Sequence, residues 1–297
     1  DVIITTSVIP VIKKHYPNSK LFFLGASSTE LLLKNHHLID GFFSFNHYRI
    51  NRRKINLFKK IINHLQTKRL LIKQLKKENI DLAIDFYFYN PNSIKLLHKA
   101  KIPNIIGYTN CGFKNLLTLK VENHLNPFWH MSEYHLDLLN LILEKKEKAR
   151  PLEPSLPLVR EPTYKQLKNY ENKKFILIHT GAGQQERYLD QKVTQKLLDS
   201  ITKDYLVLFI GLGEEEKKHI EKIINGYTNC INLSNKLNIL DIIYLCNRAE
   251  MVMSTDSSIS HLASSFNNPQ TVFFRNVNFF HQQLWLLKKQ NIKMIQM

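Results

Sequence analysis

Short apolar runs alternate with longer amphipathic stretches along the chain. LFFLGA (21–26), FFSF (42–45), DLAIDFYF (81–88) and NIIGY (104–108) read as strands. Helices are predicted between and after them: through Glu30–Asn35, over Lys54–Lys77, near 92–100, and over Glu133–Leu143. In the longest of these, Ile55, Phe58, Ile62, Leu65, Leu70 and Ile72 form the predicted buried stripe. Asp81 and Asp85 flank their strand and read as strand-end polar groups.

The alternation breaks at Lys145–Thr163, where Pro151, Pro154, Pro157 and Pro162 exclude a continuous helix. It then restarts. FILIHT (175–180), YLVLFIG (205–211), INL (231–233), MVMS (251–254) and TVFF (271–274) read as strands. Helices are predicted at Gln191–Ile201, Glu214–Ile224, Ile239–Arg248 and 258–266. Strands taking turns with helices predict parallel sheets with crossover helices. The expected organisation is therefore an α/β N-terminal domain (1–150), a linker (151–163) and an α/β C-terminal domain (164–297). Both are expected to be Rossmann-like and to face a central cleft. Ligands of open α/β sheets sit at the carboxyl ends of the strands. HTGAG, GLGEEE and STDSS all fall at such ends, in the second half.

The segment MVMSTDSSISHLASSF (251–266) concentrates the chemistry. It reads as a strand, a polar turn and a helix with Ser257 or Ser258 as N-cap. Unpaired N–H groups at a helix start suit a phosphate. Asp256 and His261 stand beside it, able to bind sugar hydroxyls or move protons. His179, inside an apolar strand, reads as packing.

Charge and cysteine usage narrow the classes. The formal net charge is +17, and most of the excess falls in the first half, densest at Arg49, Arg52, Arg53, Lys54, Lys59 and Lys60. Such an excess suits an anionic partner: nucleic acid, an acidic membrane surface or a phosphorylated substrate. No aromatic RNP motif, zinc-ligand spacing or Arg-Gly tract favours nucleic acid. No run approaches the roughly 18 apolar residues of a membrane span. Cys111, Cys230 and Cys246 are scattered, with no CxxC, and read as reduced thiols. GAG and GLG do not make GxGxxG, so a dinucleotide oxidoreductase is poorly supported.

Four segments, in order, resemble glycosyltransferase family 9, the ADP-heptose:lipopolysaccharide heptosyltransferases, whose architecture is GT-B. They are the opening 1–45, HMSEYHLDLL (130–139), FILIHTGAGQQERY (175–188) and MVMSTDSSISHLASSF. The resemblance implies an inverting transfer of heptose from ADP-heptose to the inner core of lipopolysaccharide or lipooligosaccharide. It implies Asp1 as general base, a role that needs only a carboxylate within reach of the acceptor hydroxyl. It places Thr180 and Gly181 under the donor diphosphate, and Asp256, Ser257, Ser258 and His261 around phosphate and sugar. Glu215 falls near the family's ribose-binding carboxylate and Leu237 near its adenine contact. No metal or other cofactor is implied. The implied partners are the nucleotide-sugar and an anionic glycolipid acceptor (lipid A–Kdo core), met at the cytoplasmic face of the inner membrane by a peripheral cytoplasmic protein.

The chain departs from the family in places. Glu186-Arg187-Tyr188-Leu189 replaces the usual Lys-Arg-Trp-Pro, leaving Arg187 as the replacement phosphate cation. Ser258 replaces a Gly, and Phe274-Arg275-Asn276-Val277 replaces Phe-Gly-Pro-Thr. The family's first apolar strand is expected ahead of Asp1. Two alternatives remain: a relative using a different nucleotide-sugar, and a catalytically silent protein that binds sugar-nucleotides or anions.

Overall fold

The computed structural model describes residues 2–47, 56–87, 92–122, 126, 128–183, 185–274 and 289–296. The chain divides into two compact units, Asp1–Leu152 and Glu153–Met297. Every strand pairing in both is parallel. No helix among the described residues is long and apolar enough to cross a membrane.

The first unit opens with α1 (Val2–Thr5), a 3₁₀ turn and α2 (Ile9–His15). There follow β1 (Phe22–Gly25), α3 (Glu30–Lys34), β2 (Gly41–Ser44), α4 (Leu57–Lys77), β3 (Leu82–Ile84), α5 (Ile94–Lys99), β4 (Asn104–Tyr108), β5 (Leu119–Val121) and α6 (Met131–Leu139). The strands make two sheets, β1-β2 and β3-β4-β5. α6 starts on a capping box. Glu133 accepts from the backbone N–H of His130 at 2.6 Å, and the His130 ring caps from the other side. Its inner side packs Leu136 and Leu139 against Val8 and Val11 of the opening helices.

β3 is shorter than the run DLAIDFYF suggests. It ends at Ile84, and the next residue, Asp85, turns its carboxylate onto the backbone that follows. The buried Asp85 carboxylate accepts from Tyr87 N (3.0 Å), Ser93 N (2.8 Å) and Ser93 Oγ (2.7 Å). Asp85 is thus a strand-end polar group that ties the strand to the start of α5.

Of the predicted α4 stripe, the described member that turns inward is Ile72, half-buried against the core. His64, Leu71 and Leu75 are buried, whereas Phe58 (71%), Leu65 (53%) and Leu70 (59%) are exposed, as is Ile62. Apolar residues occur on both sides of this helix, so periodicity alone did not choose between them. Leu71 and Leu75 join the core of Leu96, Leu97 and Ile105, while the His64 ring packs against Phe45 and His47. Ile55 lies outside the described residues.

The second unit runs β6 (Phe175–His179), α7 (Gln191–Ile201), β7 (Leu206–Ile210), α8 (Glu214–Ile224), β8 (Cys230–Asn232), α9 (Ile239–Arg248), β9 (Met251–Thr255), α10 (Ser258–Ala263), β10 (Gln270–Phe274) and β11 (Ile292–Gln296). Among the described residues its strands form one sheet in the order β11-β10-β9-β6-β7-β8. Ile176, Ile178, Val207 and Phe209 pack with Leu198, Ile220 and Ile223 of α7 and α8. Leu177, Leu208 and Val252, pointing the opposite way, are also buried, so both faces are covered as parallel sheets require. The proline-rich segment enters this unit at Thr163, whose N–H and hydroxyl donate to the buried Asp241 carboxylate at the start of α9 (2.7 and 2.8 Å to Oδ1).

Candidate active site

Chain order in the second sheet runs outward from β6 through β7 to β8, then returns to β9 on the other side of β6. The reversal between β6 and β9 is a topological switch point, where the connections leave in opposite directions and open a crevice at the carboxyl ends. His179 at the end of β6 stands opposite Ser254 of β9. The two polar turns picked out from the sequence, HTGAG and STDSS, therefore leave adjacent strands side by side.

Their side chains are joined by named contacts. Arg187, on a 3₁₀ turn after β6, donates from Nη2 to Asp256 Oδ2 at 2.9 Å. Burial pushes the Asp256 carboxyl above its ordinary value, and the Arg187 guanidinium pulls it part of the way back. The Thr255 hydroxyl donates to the carbonyl of Gly181. Ser257 Oγ and His179 Nδ1 share a hydrogen bond of 3.1 Å. Ser257 is the N-cap of α10, as the sequence suggests, but its hydroxyl makes no cap bond. Thr180 is wholly buried, and its Oγ1 finds no hydrogen-bond partner among the described residues.

Gly181 sits where it does for a steric reason. A Cβ added there would lie 2.2 Å from the carboxyl carbon of Glu216. Glu216 is the third residue of α8 and is buried. Its Oε2 accepts from Leu212 N at 2.8 Å and lies 3.6 Å from His179 Nε2. Burial pushes this carboxyl up, but the facing His179 imidazole and the Leu212 N–H outweigh it and hold it below the usual range.

The family resemblance places Glu215, in the GLGEEE run, near the ribose. The carboxylate that turns in against Gly181 is its neighbour Glu216, while Glu215 is exposed on the first turn of α8. The usable signal was position: an acid three residues after Gly213, the N-cap of α8, folds back toward the preceding turn. The sequence alone gives His179 as packing. It is half-buried and links Ser257 to Glu216 as well as packing. Leu237 is half-buried ahead of α9, Ser258 is exposed, and His261 is half-buried on α10. Asp1, Arg49, Arg52, Arg53, Lys54, Arg275, Asn276 and Val277 lie outside the described residues. Among the described residues, no group of three or more His, Cys, Asp and Glu is placed to hold a metal ion.

Residues 68–294 match the family model of glycosyltransferase family 9 (heptosyltransferase). The chain belongs to this family. Glycosyl transfer is therefore its class of chemistry. It is 24% identical over 302 residues to lipopolysaccharide heptosyltransferase 1 of Campylobacter coli, covering 92% of this chain and 80% of that protein. The fold is similar to that of a family 9 glycosyltransferase from Veillonella parvula, with a TM-score of 0.78 at 15% identity, over 100% of this chain and 82% of the other. It is equally similar to Escherichia coli heptosyltransferase WaaC solved with ADP, with a TM-score of 0.78 at 11% identity, over 99% and 89%. These likenesses show the α/β, GT-B class of fold with parallel sheets.

Proposed function

We propose that this family 9 protein is an inverting glycosyltransferase that moves heptose from ADP-heptose to the inner core of lipopolysaccharide or lipooligosaccharide. The observation that carries the reading is the Arg187–Asp256 pair at the switch point, between a buried threonine and a short helix start. A cation, backbone N–H groups and a carboxylate, gathered beyond the ends of two neighbouring strands, match the parts of a sugar diphosphate. The guanidinium and the N–H groups face the phosphates, and the carboxylate faces the hydroxyls. Among the described residues only Nη2 of Arg187 is taken, by Asp256, and the rest of its donor fork is offered to phosphate oxygens.

In the proposed reaction Asp1 takes the proton of an acceptor hydroxyl as its oxygen attacks the anomeric carbon. The bond from that carbon to the diphosphate breaks, its electron pair leaves with ADP, and the configuration inverts. Arg187 and the α10 N–H groups offset the charge that grows on the leaving group, a role that requires no metal ion. Glu215 and Leu237 are assigned to ribose and adenine, and Ser258 and His261 to phosphate and sugar. The names of the relatives support this donor and acceptor. The C. coli protein is a lipopolysaccharide heptosyltransferase, and the WaaC structure holds ADP. The acceptor is then an anionic lipid A–Kdo glycolipid, and the enzyme works as a peripheral protein at the cytoplasmic face of the inner membrane.

The test is incubation of the purified protein with ADP-heptose and the lipid A–Kdo acceptor. ADP release with a matching gain in acceptor mass is expected; neither appearing overturns the proposal. Glu186, exposed where the family resemblance implies a lysine, favours a second reading in which the donor is another nucleotide-sugar. Donor profiling by mass spectrometry separates the two.

A further inference from the structure

The side of α4 that faces solvent carries an ordered stripe. Phe58, Ile62, Leu65, Arg69, Lys73 and Lys76 follow one another at spacings of three or four, so they share one helix face. The first three are apolar, and Phe58 and Leu65 stand 71% and 53% exposed. The last three are cations, all exposed. An apolar ridge of two turns thus runs into a basic ridge of two more, each about 10 Å long.

α4 contains no Asp or Glu to balance its Lys and Arg residues. The field extends beyond the helix. Lys68 has its ammonium pushed below the usual range, first by burial and then by repulsion from Lys99 and Lys95 of α5. A soluble surface gains nothing from three large apolar side chains held in water beside a concentrated positive charge. A bilayer with anionic headgroups satisfies both halves at once: the apolar ridge enters the acyl boundary and the cations meet lipid phosphates.

We propose that α4 is a membrane-docking helix that seats the first unit on an anionic lipid surface through Phe58, Ile62 and Leu65, with Arg69, Lys73 and Lys76 on the headgroups. The inference deepens the reading above, since a glycolipid acceptor gives the enzyme a reason to meet a bilayer. It makes a claim about the lipid surface, separate from the donor site.

The test is co-sedimentation of the whole protein with vesicles, without donor or acceptor. One set is phosphatidylcholine; the other is equal parts phosphatidylcholine and phosphatidylglycerol. Binding is expected to the anionic set, to weaken as salt is raised, and to be slight on the neutral set. The triple change Arg69→Gln, Lys73→Gln, Lys76→Gln is expected to lower partitioning about 100-fold. The pair Phe58→Ser, Leu65→Ser is expected to lower it by about tenfold or more. Because all five side chains are exposed, melting temperature and ADP affinity should stay at wild-type values in both variants. Equal binding to neutral vesicles, or full binding by both variants, overturns the proposal. So does a dimer in sedimentation velocity that the serine pair disperses while vesicle binding persists, since the ridge then belongs to a second copy. If vesicle binding behaves as expected but no nucleotide-sugar is used, the functional reading falls and the docking helix stands.

Discussion

Arg187 and Asp256 are 69 residues apart in the chain and 2.9 Å apart between Nη2 and Oδ2. Asp256 follows β9 and Arg187 lies on the turn after β6, so the pair closes the gap between the two strands at which the sheet reverses direction. It also offsets part of the cost of burying the Asp256 carboxylate. The pair therefore stabilises the turn and presents the rest of a guanidinium fork at the same place.

Arg187→Ala should lower affinity for ADP about 10- to 100-fold, the worth of a charge-assisted hydrogen bond. Arg187→Lys should recover part of it, since a point charge cannot reproduce the fork. Isothermal titration with ADP checks both. An unchanged affinity in the alanine variant removes Arg187 from the site.

Thr180 separates binding from stability. Its buried hydroxyl has no partner among the described residues, so Thr180→Val should leave the melting temperature unchanged or raise it. If that hydroxyl serves the diphosphate, the same variant should bind ADP about tenfold more weakly. A valine variant with wild-type affinity shows the threonine to be packing alone.

Gly181→Ala should cost about 1–3 kcal/mol in urea denaturation, because its methyl would meet the Glu216 carboxylate. The cost should shrink in a Glu216→Ala background, giving a measurable coupling between the two sites. Additive losses would mean that the glycine is required for another reason.

His135 gives a pH prediction. Burial in the first unit lowers its pKa from 6.5 to about 3, so the folded protein holds it neutral while the unfolded chain protonates it below 6.5. The unfolded state then binds more protons, and stability falls as pH drops from 6.5 toward 3, by up to about 1.4 kcal/mol per pH unit from this group. His135→Leu should flatten that part of the stability curve. A variant with the same acid slope as wild type contradicts the assignment.

The strands and switch-point turns were legible because parallel, doubly covered strands are continuous apolar runs and their ends are abruptly polar, as in FILIHTG and MVMSTD. β5 and β11 were not, for a related reason: Leu119–Val121 is short and β11 is only half covered, so neither has a sustained apolar run. The inner face of α4 was misjudged because a histidine, His64, is buried there among aromatic rings while phenylalanine and leucine remain outside. Asp256 and Arg187 were both singled out, but their pairing depends on which strands neighbour each other. Which of Glu215 and Glu216 turns inward depends on helix phase, since one step along α8 moves a side chain by about 100°.

The account rests on a nucleotide-sugar diphosphate seated where β6 and β9 part. A crystal structure of the protein grown with ADP tests this most directly. The diphosphate is expected within hydrogen-bonding distance of the Arg187 guanidinium and the Thr180–Gly181 turn, with α10 opening toward it. ADP bound at any other place, or a diphosphate clear of both Arg187 and Gly181, would contradict it.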